Sequence, residues 1–214
     1  MAEIRIMVVE DQAMIRGAIA ALLDLEEDMT VVAQASDGRD ALRTLDALAA
    51  GEAGRAGERV VDVVLLDVEM PGGDGITACK ALLTRAPSVR VLMLTTFGRP
   101  GYVQRSLDAG ASGFIVKDAP SEQLAQAIRS VMAGRRVIDP TLAVETLTRG
   151  TSPLTDREAE VLRAVADGGT IADIAKGLGL GQGTARNHVS SAMIKTGART
   201  RAEAVRIATQ AGWL

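Results

Sequence analysis

The stretch VVDVVLLDVEMPGGDG, residues 60–75, decides the fold of the N-terminal half. Its first seven residues are nearly all apolar, which is typical of a strand buried on both faces of a parallel sheet. Asp67 follows that strand directly, before a turn rich in glycine. Because open α/β sheets bind their ligands beyond the carboxyl ends of the strands, Asp67 is the first candidate for a functional residue.

Similar apolar runs lie on both sides of this stretch, and helical patterns separate them. We predict strands at 4–9, 31–33, 60–66, 89–94 and 113–116, with helices between them and a last helix at 121–132. Strands that alternate with helices form βαβ units and a parallel sheet. Residues 1–134 are therefore predicted to form an α/β domain with a doubly wound, five-stranded parallel sheet.

The pattern changes after Gly134. We predict a linker at 135–152, and the remaining residues, 153–214, show helical patterns and no strand signal. Thr155 and Glu158 have the spacing of a capping box, in which a threonine caps a helix start and a glutamate reaches back to it. This stretch is predicted to be a small all-α domain of four helices, the second at 171–178 and the third at 184–196.

Composition excludes several classes of protein. Among the 214 residues, 47% are apolar and 24% are charged, which excludes a mainly disordered chain. One cysteine, Cys79, excludes an internal disulfide framework, and one histidine, His188, excludes a histidine-rich metal cluster. No apolar run is long enough to span a membrane and the start does not resemble a signal peptide, so we expect a cytoplasmic protein with no membrane partner.

Charge is distributed unevenly along the chain. Residues 1–150 carry 16 basic and 21 acidic side chains, a net charge of −5, whereas residues 151–214 carry 8 and 6, a net charge of +2. An acidic front and a basic tail suggest that the two halves meet different partners.

Four of the predicted strands end in charged or reactive side chains. Glu10 and Asp11 follow the first strand, Asp67 the third, Thr95 the fourth and Lys117 the fifth. Parallel strands end at one edge of a sheet, so these side chains are expected around one crevice. Crowded carboxylates need a hard cation, and oxygen ligands favour Mg²⁺. An aspartate can attack phosphorus to give an aspartyl phosphate, whose oxygens a lysine and a hydroxyl can hold.

The motifs at these positions are ED at 10–11, DVEMPGGDG at 67–75, LTTF at 94–97 and VKD at 116–118. They resemble the receiver domain of bacterial response regulators, which has the flavodoxin/CheY-like fold, and the resemblance covers residues 3–133. It implies that Asp67 is the phosphoacceptor and that Lys117 contacts the phosphoryl group. Thr95 is then the switch hydroxyl, a role for which Thr96 is the competitor.

The same resemblance implies a magnesium site and an aromatic switch. The implied metal ligands are Glu10, Asp11, Asp67 and the backbone carbonyl of Glu69. Phe114 stands at the aromatic switch position, although a buried aromatic residue also fits a plain core role.

Two of the predicted C-terminal helices are joined by GLGLGQG, residues 177–183. Helices joined by a short turn containing glycine form a helix-turn-helix, whose second helix enters the major groove of DNA. Arginine and asparagine can make paired hydrogen bonds to guanine and adenine. The polar residues predicted on the exposed side of this helix are Thr184, Arg186, Asn187, His188, Ser190, Ser191 and Lys195.

Residues 153–212 resemble the DNA-binding domain of the NarL/LuxR (FixJ) family, through LTDREAEVL, IADIAKGLGL, GTARNHV and KTGARTRAEAV. Within that family, the stretch from 94 to 134 is most similar to the DesR-like subgroup. The resemblance implies that bases are contacted by Arg186, Asn187 and Ser190. It implies phosphate contacts for Thr184, Lys195, Arg157 and Arg201. For His188, a packing role and a DNA contact are both open.

These resemblances predict a two-component transcriptional response regulator and not an enzyme. A sensor histidine kinase would phosphorylate Asp67, which would promote a homodimer and sequence-specific binding to double-stranded DNA. Two alternatives stay open. One is a magnesium-dependent aspartyl-phosphate phosphatase, which needs a second acid two residues after its nucleophile, where this chain has Glu69. The other is a DNA-binding protein whose receiver is never phosphorylated.

Overall fold

The computed structural model describes residues 3–51, 60–70, 73–96, 99–140, 142–143 and 152–214. Two compact units make up the chain. The N-terminal unit consists of residues 1–98 and 103–143, and the C-terminal unit consists of residues 99–102 and 144–214. Much of the predicted linker, from 144 to 151, lies outside the described residues. The predicted boundaries at 134 and 153 stay predictions.

The N-terminal unit is built on a parallel sheet whose strands are β1 (Ile4–Val9), β2 (Met29–Ala35), β3 (Val63–Asp67), β6 (Arg90–Thr95), β7 (Gly113–Val116) and β8 (Val137–Ile138). Between β3 and the next helix, β4 (Glu69–Met70) and β5 (Gly73–Asp74) form a small antiparallel pair. The order across the sheet is β2-β1-β3-β6-β7-β8, so the winding direction reverses between β1 and β3.

Five helices lie wholly or, in the case of the fourth helix, mostly in the described part of this unit. They are α1 (Ala13–Leu23), α2 (Gly38–Ala50), α3 (Gly75–Arg85), α4 (Pro100–Asp108) and α5 (Ser121–Met132). Aspartates start two of them: Asp37 accepts from the backbone amides of Arg39 and Asp40, and Asp74 accepts from that of Ile76. Side-chain oxygens at these positions satisfy amides that a helix start leaves without partners.

Aliphatic side chains fill the core of the N-terminal unit. Every residue of β3 is buried, which agrees with its unbroken apolar sequence at the centre of the sheet. Phe114 is the largest of the fully buried side chains among the described residues. Cys79 is buried on α3, and burial raises the pKa of its thiol to about 12. Its role is therefore packing.

The prediction of five strands was wrong by one. β8 lies in the stretch predicted as a linker, and its two residues pair with Gly113 and Phe114 of β7. Gly113 makes this possible, because a Cβ atom there would lie 2.7 Å from the carbonyl oxygen of Val137. A strand of two residues carries no readable periodicity, so the sequence pattern could not indicate it.

The described residues of the C-terminal unit form four helices after position 152. They are α6 (Asp156–Ala166), α7 (Ile171–Gly177), α8 (Gln182–Thr196) and α9 (Arg201–Gln210). The predicted capping box of Thr155 and Glu158 is present, and Thr170 and Asp173 form a second one at α7. Small and aliphatic side chains make the core, including Leu162, Ala192, Ala204 and Ala208, with Trp213 packed against them.

Helix α8 begins two residues earlier than predicted. Gly181 occupies its N-cap position and Gln182 is its first residue, whereas the sequence placed the start at Thr184. The turn between α7 and α8 therefore shortens to 178–181. In the described parts of the chain, no helix combines the length and the apolar character that crossing a bilayer requires.

Candidate functional site

The carboxyl ends of four strands meet at one edge of the sheet. β3 ends at Asp67 and β6 at Thr95, whereas Glu10 and Lys117 directly follow β1 and β7. The parallel registers between neighbouring strands hold these positions at the same edge. This edge includes the point between β1 and β3 where the winding reverses, which is where such sheets bind ligands.

Three carboxylates crowd this edge. Glu10, Asp11 and Asp67 each offer an oxygen, and these oxygens lie within 4.8 Å of one another. The side chains of Glu10 and Asp67 are 0% and 2% exposed. Lys117 Nζ lies 2.6 Å from Glu10 Oε2 and 2.9 Å from Asp67 Oδ2. One ammonium group thus faces two buried carboxylates, with the third close by.

Burial and charge shift the pKa values at this edge. Burial raises the pKa of both Glu10 and Asp67, although their hydrogen bonds with Lys117 oppose the shift. Burial of Lys117 disfavours its charged form, but its hydrogen bonds to the two carboxylates outweigh that effect and raise its pKa. The lysine therefore stays protonated between two carboxyl groups whose burial disfavours their ionised forms.

The donor set suits a hard divalent cation. Asp11 Oδ1 is buried and has no hydrogen-bond partner among the residues that the structure describes. The backbone amide of Gln12 donates to Glu10 Oε1 over 3.2 Å, and that of Glu69 donates to Asp67 Oδ1 over 3.2 Å. The oxygens present at this edge are those that Mg²⁺ prefers. The carboxylates present here fit this ion. The role of the Glu69 carbonyl as a further metal ligand stays a prediction.

The two predicted switch residues are both completely buried. Thr95 is 0% exposed, and its carbonyl accepts a hydrogen bond of 2.7 Å from the Lys117 amide, whereas Thr96 is exposed. Phe114 is also 0% exposed, which fits a core position, so its switch role stays a prediction. Parts of the predicted motifs lie outside the described residues, namely Pro71, Gly72 and Phe97.

Gly75 keeps the loop after Asp67 close to the strand end. A Cβ atom at position 75 would lie 1.9 Å from the carbonyl oxygen of Asp67 and 2.9 Å from its carbonyl carbon. These are backbone atoms, so a side chain at this position must displace the strand end or the start of α3. We expect Gly75→Ala to destabilise the N-terminal unit by about 1–3 kcal/mol, measured by denaturant unfolding and circular dichroism.

Gly17→Ala is the matched control for this prediction. Gly17 lies in α1, and a Cβ atom there would meet nothing within 4 Å. Alanine is favoured over glycine within a helix, so this variant should be as stable as the wild type or more so. Equal stability of the two alanine variants would contradict the close approach at Gly75.

Helix α8 has an exposed polar side. Thr184, Arg186, Asn187 and Ser190 are exposed, whereas His188 is half-buried. Arg186 makes no hydrogen bond or ion pair with any other residue in the described part of the chain. Its guanidinium is therefore available to an external partner.

Other predicted phosphate contacts are already engaged within the C-terminal unit. Lys195 Nζ lies 2.7 Å from Glu158 Oε2. Arg157 forms an ion pair with Glu160, and Arg201 donates to a backbone carbonyl. These three cations differ from Arg186 because each has a partner without DNA.

Each of the two parts of the chain matches a known protein family. Residues 6–129 match the response regulator receiver domain, and residues 152–208 match the bacterial regulatory proteins of the luxR family. The chain belongs to the LuxR family of response regulators. The predicted family is thereby confirmed.

This response regulator shares its full length with its relatives. It is 42% identical over 210 residues to the transcriptional regulatory protein DesR of Bacillus subtilis (strain 168), and the match covers 98% of both chains. It is similar to the crystal structure of response regulator ChrA of a heme-sensing two-component system, with a TM-score of 0.55 and 32% identity over 98% of both chains. The structure of the RcsB–DNA complex matches with a TM-score of 0.64 and 25% identity, over 97% of this chain and 98% of that one.

These comparisons confirm three predictions: the DesR-like resemblance, the α/β receiver fold and the all-α domain that follows it. The receiver and LuxR-type domains make this chain a transcriptional response regulator. The DNA-binding domain also accounts for the basic C-terminal stretch, which the phosphatase alternative leaves unexplained.

The contact between Glu158 and α8 was not predicted from the sequence. Ser191 was predicted on the exposed side of that helix, but it is half-buried and its hydroxyl donates to Glu158 Oε1 over 2.6 Å. That placement was wrong because Ser191 and Lys195, one helical turn apart, both turn toward the acid on α6. The spacing of Ser191 and Lys195 was the only sequence signal for this contact. It does not identify a partner more than thirty positions away.

Proposed function

We propose that phosphorylation of Asp67 controls this response regulator, and that the phosphorylated chain binds double-stranded DNA as a homodimer. The position of Lys117 carries the proposal, since its Nζ lies 2.9 Å from Asp67 Oδ2 and 2.6 Å from Glu10 Oε2. A lysine within hydrogen-bond distance of the attacking carboxylate can hold the oxygens of a phosphoryl group that joins it. The structure of the RcsB–DNA complex supports the binding of DNA.

A sensor histidine kinase supplies the phosphoryl group in this proposal. An oxygen of Asp67 attacks the phosphorus of a phosphohistidine, so that an O–P bond forms while the P–N bond breaks and the imidazole takes up a proton. Mg²⁺ would be held by Glu10, Asp11, Asp67 and the carbonyl of Glu69, where it would reduce the repulsion between the carboxylate and the phosphoryl oxygens. Lys117 contacts the phosphoryl group from the side of β7.

Thr95 responds to the new charge. A phosphoryl group brings a charge of about −1.5 to −2 to the strand edge. Thr95 ends the neighbouring strand, so its hydroxyl can donate to a phosphoryl oxygen when the following loop moves inward. Phe114, on the next strand, would follow this movement as the aromatic switch. A shift of this kind changes the surface of the receiver and favours pairing of two receivers.

Helix α8 is the DNA-contacting element of the proposal. Arg186 and Asn187 suit guanine and adenine edges in the major groove, and Ser190 suits either base. Thr184, in the first turn, would contact a phosphate, and half-buried His188 lies on the following turn. A homodimer would bring two such helices to half-sites about one turn of DNA apart. We infer a cytoplasmic location from this partner, because bacterial DNA lies there.

Small phosphodonors test the proposal with the full chain. In Mg²⁺ and acetyl phosphate, the chain should gain the mass of one phosphoryl group, and a beryllium fluoride mimic should shift it toward a dimer. Affinity for duplex DNA selected from a random pool should rise by about tenfold. Asp67→Ala should abolish all three changes. Asp118→Ala, which removes an exposed carboxylate beside Lys117, should preserve them.

Other outcomes favour the alternatives. A chain that is phosphorylated but does not shift toward a dimer and does not gain DNA affinity indicates a DNA-binding protein with a silent receiver. Continuous hydrolysis of a generic phosphomonoester that depends on Asp67 indicates a phosphatase. Either result contradicts the proposal.

Arg186→Ala should weaken specific DNA binding by about 1–3 kcal/mol and relax the preference at one base pair. The guanidinium has no partner within the described residues, so its removal should leave the stability of the C-terminal unit unchanged. Fluorescence anisotropy with the selected duplex and its single-base variants measures the effect at fixed salt. Arg199→Ala, at another exposed arginine of the same unit, is the control and should retain the base preference. Equal losses for both variants would indicate a general charge effect.

A further inference from the structure

Glu158 is a buried acid that joins two helices of the C-terminal unit. It is 4% exposed and lies in the first turn of α6. There it accepts a hydrogen bond of 2.8 Å from the backbone amide of Thr155 at Oε2, while its own amide donates to the Thr155 hydroxyl. This capping box is local and needs one carboxylate oxygen.

Helix α8 supplies two further donors to the same carboxylate. Ser191 Oγ donates to Oε1 over 2.6 Å, and Lys195 Nζ donates to Oε2 over 2.7 Å. The two donors are four residues apart, so they stand on one side of α8. Both oxygens of Glu158 are thus occupied, and two of its three donors belong to the helix that carries the proposed base contacts.

The apolar side of α8 is shallow. Its buried residues, Ala185, Val189 and Ala192, are small, and Met193 packs partly buried against both apolar clusters of the unit. Apolar burial is non-directional and grows with buried area, so small side chains resist rotation of a helix weakly. Hydrogen bonds to a buried carboxylate are directional and strong. Glu158 therefore adds directional contacts that oppose rotation of α8 about its own axis.

Glu158 also neutralises the ammonium group of Lys195. Its ammonium is matched by a carboxylate that is itself almost fully buried, and that carboxylate would lose its counter-charge if the lysine turned to a phosphate. Lys195 differs in this respect from Arg186, which is exposed and has no partner within the described part of the chain.

We propose that Glu158 is a positioning residue for DNA recognition, which holds Ser191 and Lys195 and thereby sets how α8 presents Arg186 and Asn187 to the bases. Lys195 acts through Glu158 and not as a phosphate contact. This inference rests on the proposed role of α8 as the base-contacting helix.

Glu158→Gln tests the positioning role in the full chain. The probes are the duplex that the wild type selects from a random pool and a scrambled duplex of the same length and composition. We expect affinity for the selected duplex to fall by about tenfold or more, as for a mismatched contact, with little change for the scrambled one. Glu160→Gln removes the same charge from a partly exposed side chain on the same helix and should keep the ratio of the two affinities. A ratio unchanged in Glu158→Gln overturns the inference.

Salt dependence tests the role of Lys195. Each phosphate contact contributes about 0.9 to the slope of log K against log salt concentration. Lys195→Gln should lower affinity for the selected duplex while the slope stays at the wild-type value. Arg201→Gln serves as a comparison at a cation predicted to contact phosphate. A slope reduced by about 0.9 in Lys195→Gln shows a phosphate contact and contradicts the proposed role.

Ser191→Ala tests the positioning role even if Glu158→Gln fails to fold. It removes one donor from α8 and leaves both the ion pair and the capping box intact. Trp213 fluorescence checks that the C-terminal unit stays folded. The ratio of specific to scrambled affinity should fall severalfold, and an unchanged ratio in this folded variant refutes the inference. Selection of a defined sequence by the wild type establishes DNA recognition separately, so a failure of the positioning role is distinguishable from a failure of the proposed function.

Discussion

Lys117→Met should destabilise the receiver domain by about 3–5 kcal/mol in the absence of divalent cations. The lysine side chain is 9% exposed and faces two carboxylates that are almost completely buried. Methionine fills similar space but leaves Glu10 and Asp67 without a counter-charge. Removing one partner of a buried ion pair is costly because the remaining charge can neither reach water nor find another partner.

Magnesium should recover part of this loss. A cation that binds the folded receiver and not the unfolded chain stabilises the fold by mass action, and three carboxylates are available to it. Scanning calorimetry of Lys117→Met with and without Mg²⁺ measures both effects. Lys80→Met, at an exposed lysine on α3, is the control and should behave as the wild type. A Lys117→Met receiver as stable as this control would show that the ammonium does not compensate the carboxylates.

Acid should unfold the C-terminal unit through Glu158. Burial alone would raise the pKa of this carboxyl, but hydrogen bonds from Lys195 and Ser191 outweigh burial and lower its pKa to about 2. Because the pKa in the folded state lies below the ordinary value of 4.5, the ionised group contributes stability that is complete above pH 4.5 and is lost as the pH falls toward 2. The shift corresponds to about 3 kcal/mol.

Trp213 makes this loss measurable in one domain. It is the single tryptophan of the sequence and packs against the core of the C-terminal unit. Urea unfolding followed by its fluorescence should give a stability that falls steeply between pH 4.5 and pH 3. Glu158→Gln should start less stable and lose much of this pH dependence. The same steep fall in wild type and Glu158→Gln would assign the acid sensitivity to other groups.

The sheet and its acidic edge were predictable because they follow from local patterns. A run such as residues 63–67 is apolar throughout, and only a strand covered on both faces buries all of it. Once the strands are parallel, their carboxyl ends meet, so residues as distant as Asp11 and Lys117 fall at one edge without any knowledge of tertiary contacts. Geometry of this kind is fixed by topology alone.

Features that depend on single tertiary contacts were not predictable. β8 exists because Gly113 lets two residues approach the sheet edge, and its strand is too short to carry a pattern. The sequence predicts Lys195 to be a solvent-facing cation on a polar helix, and it predicts its partner Glu158 to be part of a helix cap. The cap is present, but only the packing of α6 against α8 shows that the same carboxylate also accepts a hydrogen bond from Lys195.

The burial of Cys79 has a practical consequence for following activation. A thiol that is inaccessible and protonated at neutral pH does not react with maleimide reagents. The natural chain therefore needs no removal of its one sulfhydryl before dyes are attached. Arg39→Cys and Arg199→Cys, at exposed positions in different domains, would carry a donor and an acceptor fluorophore. Energy transfer between them would then report whether the distance between the two labels changes when a phosphodonor is added.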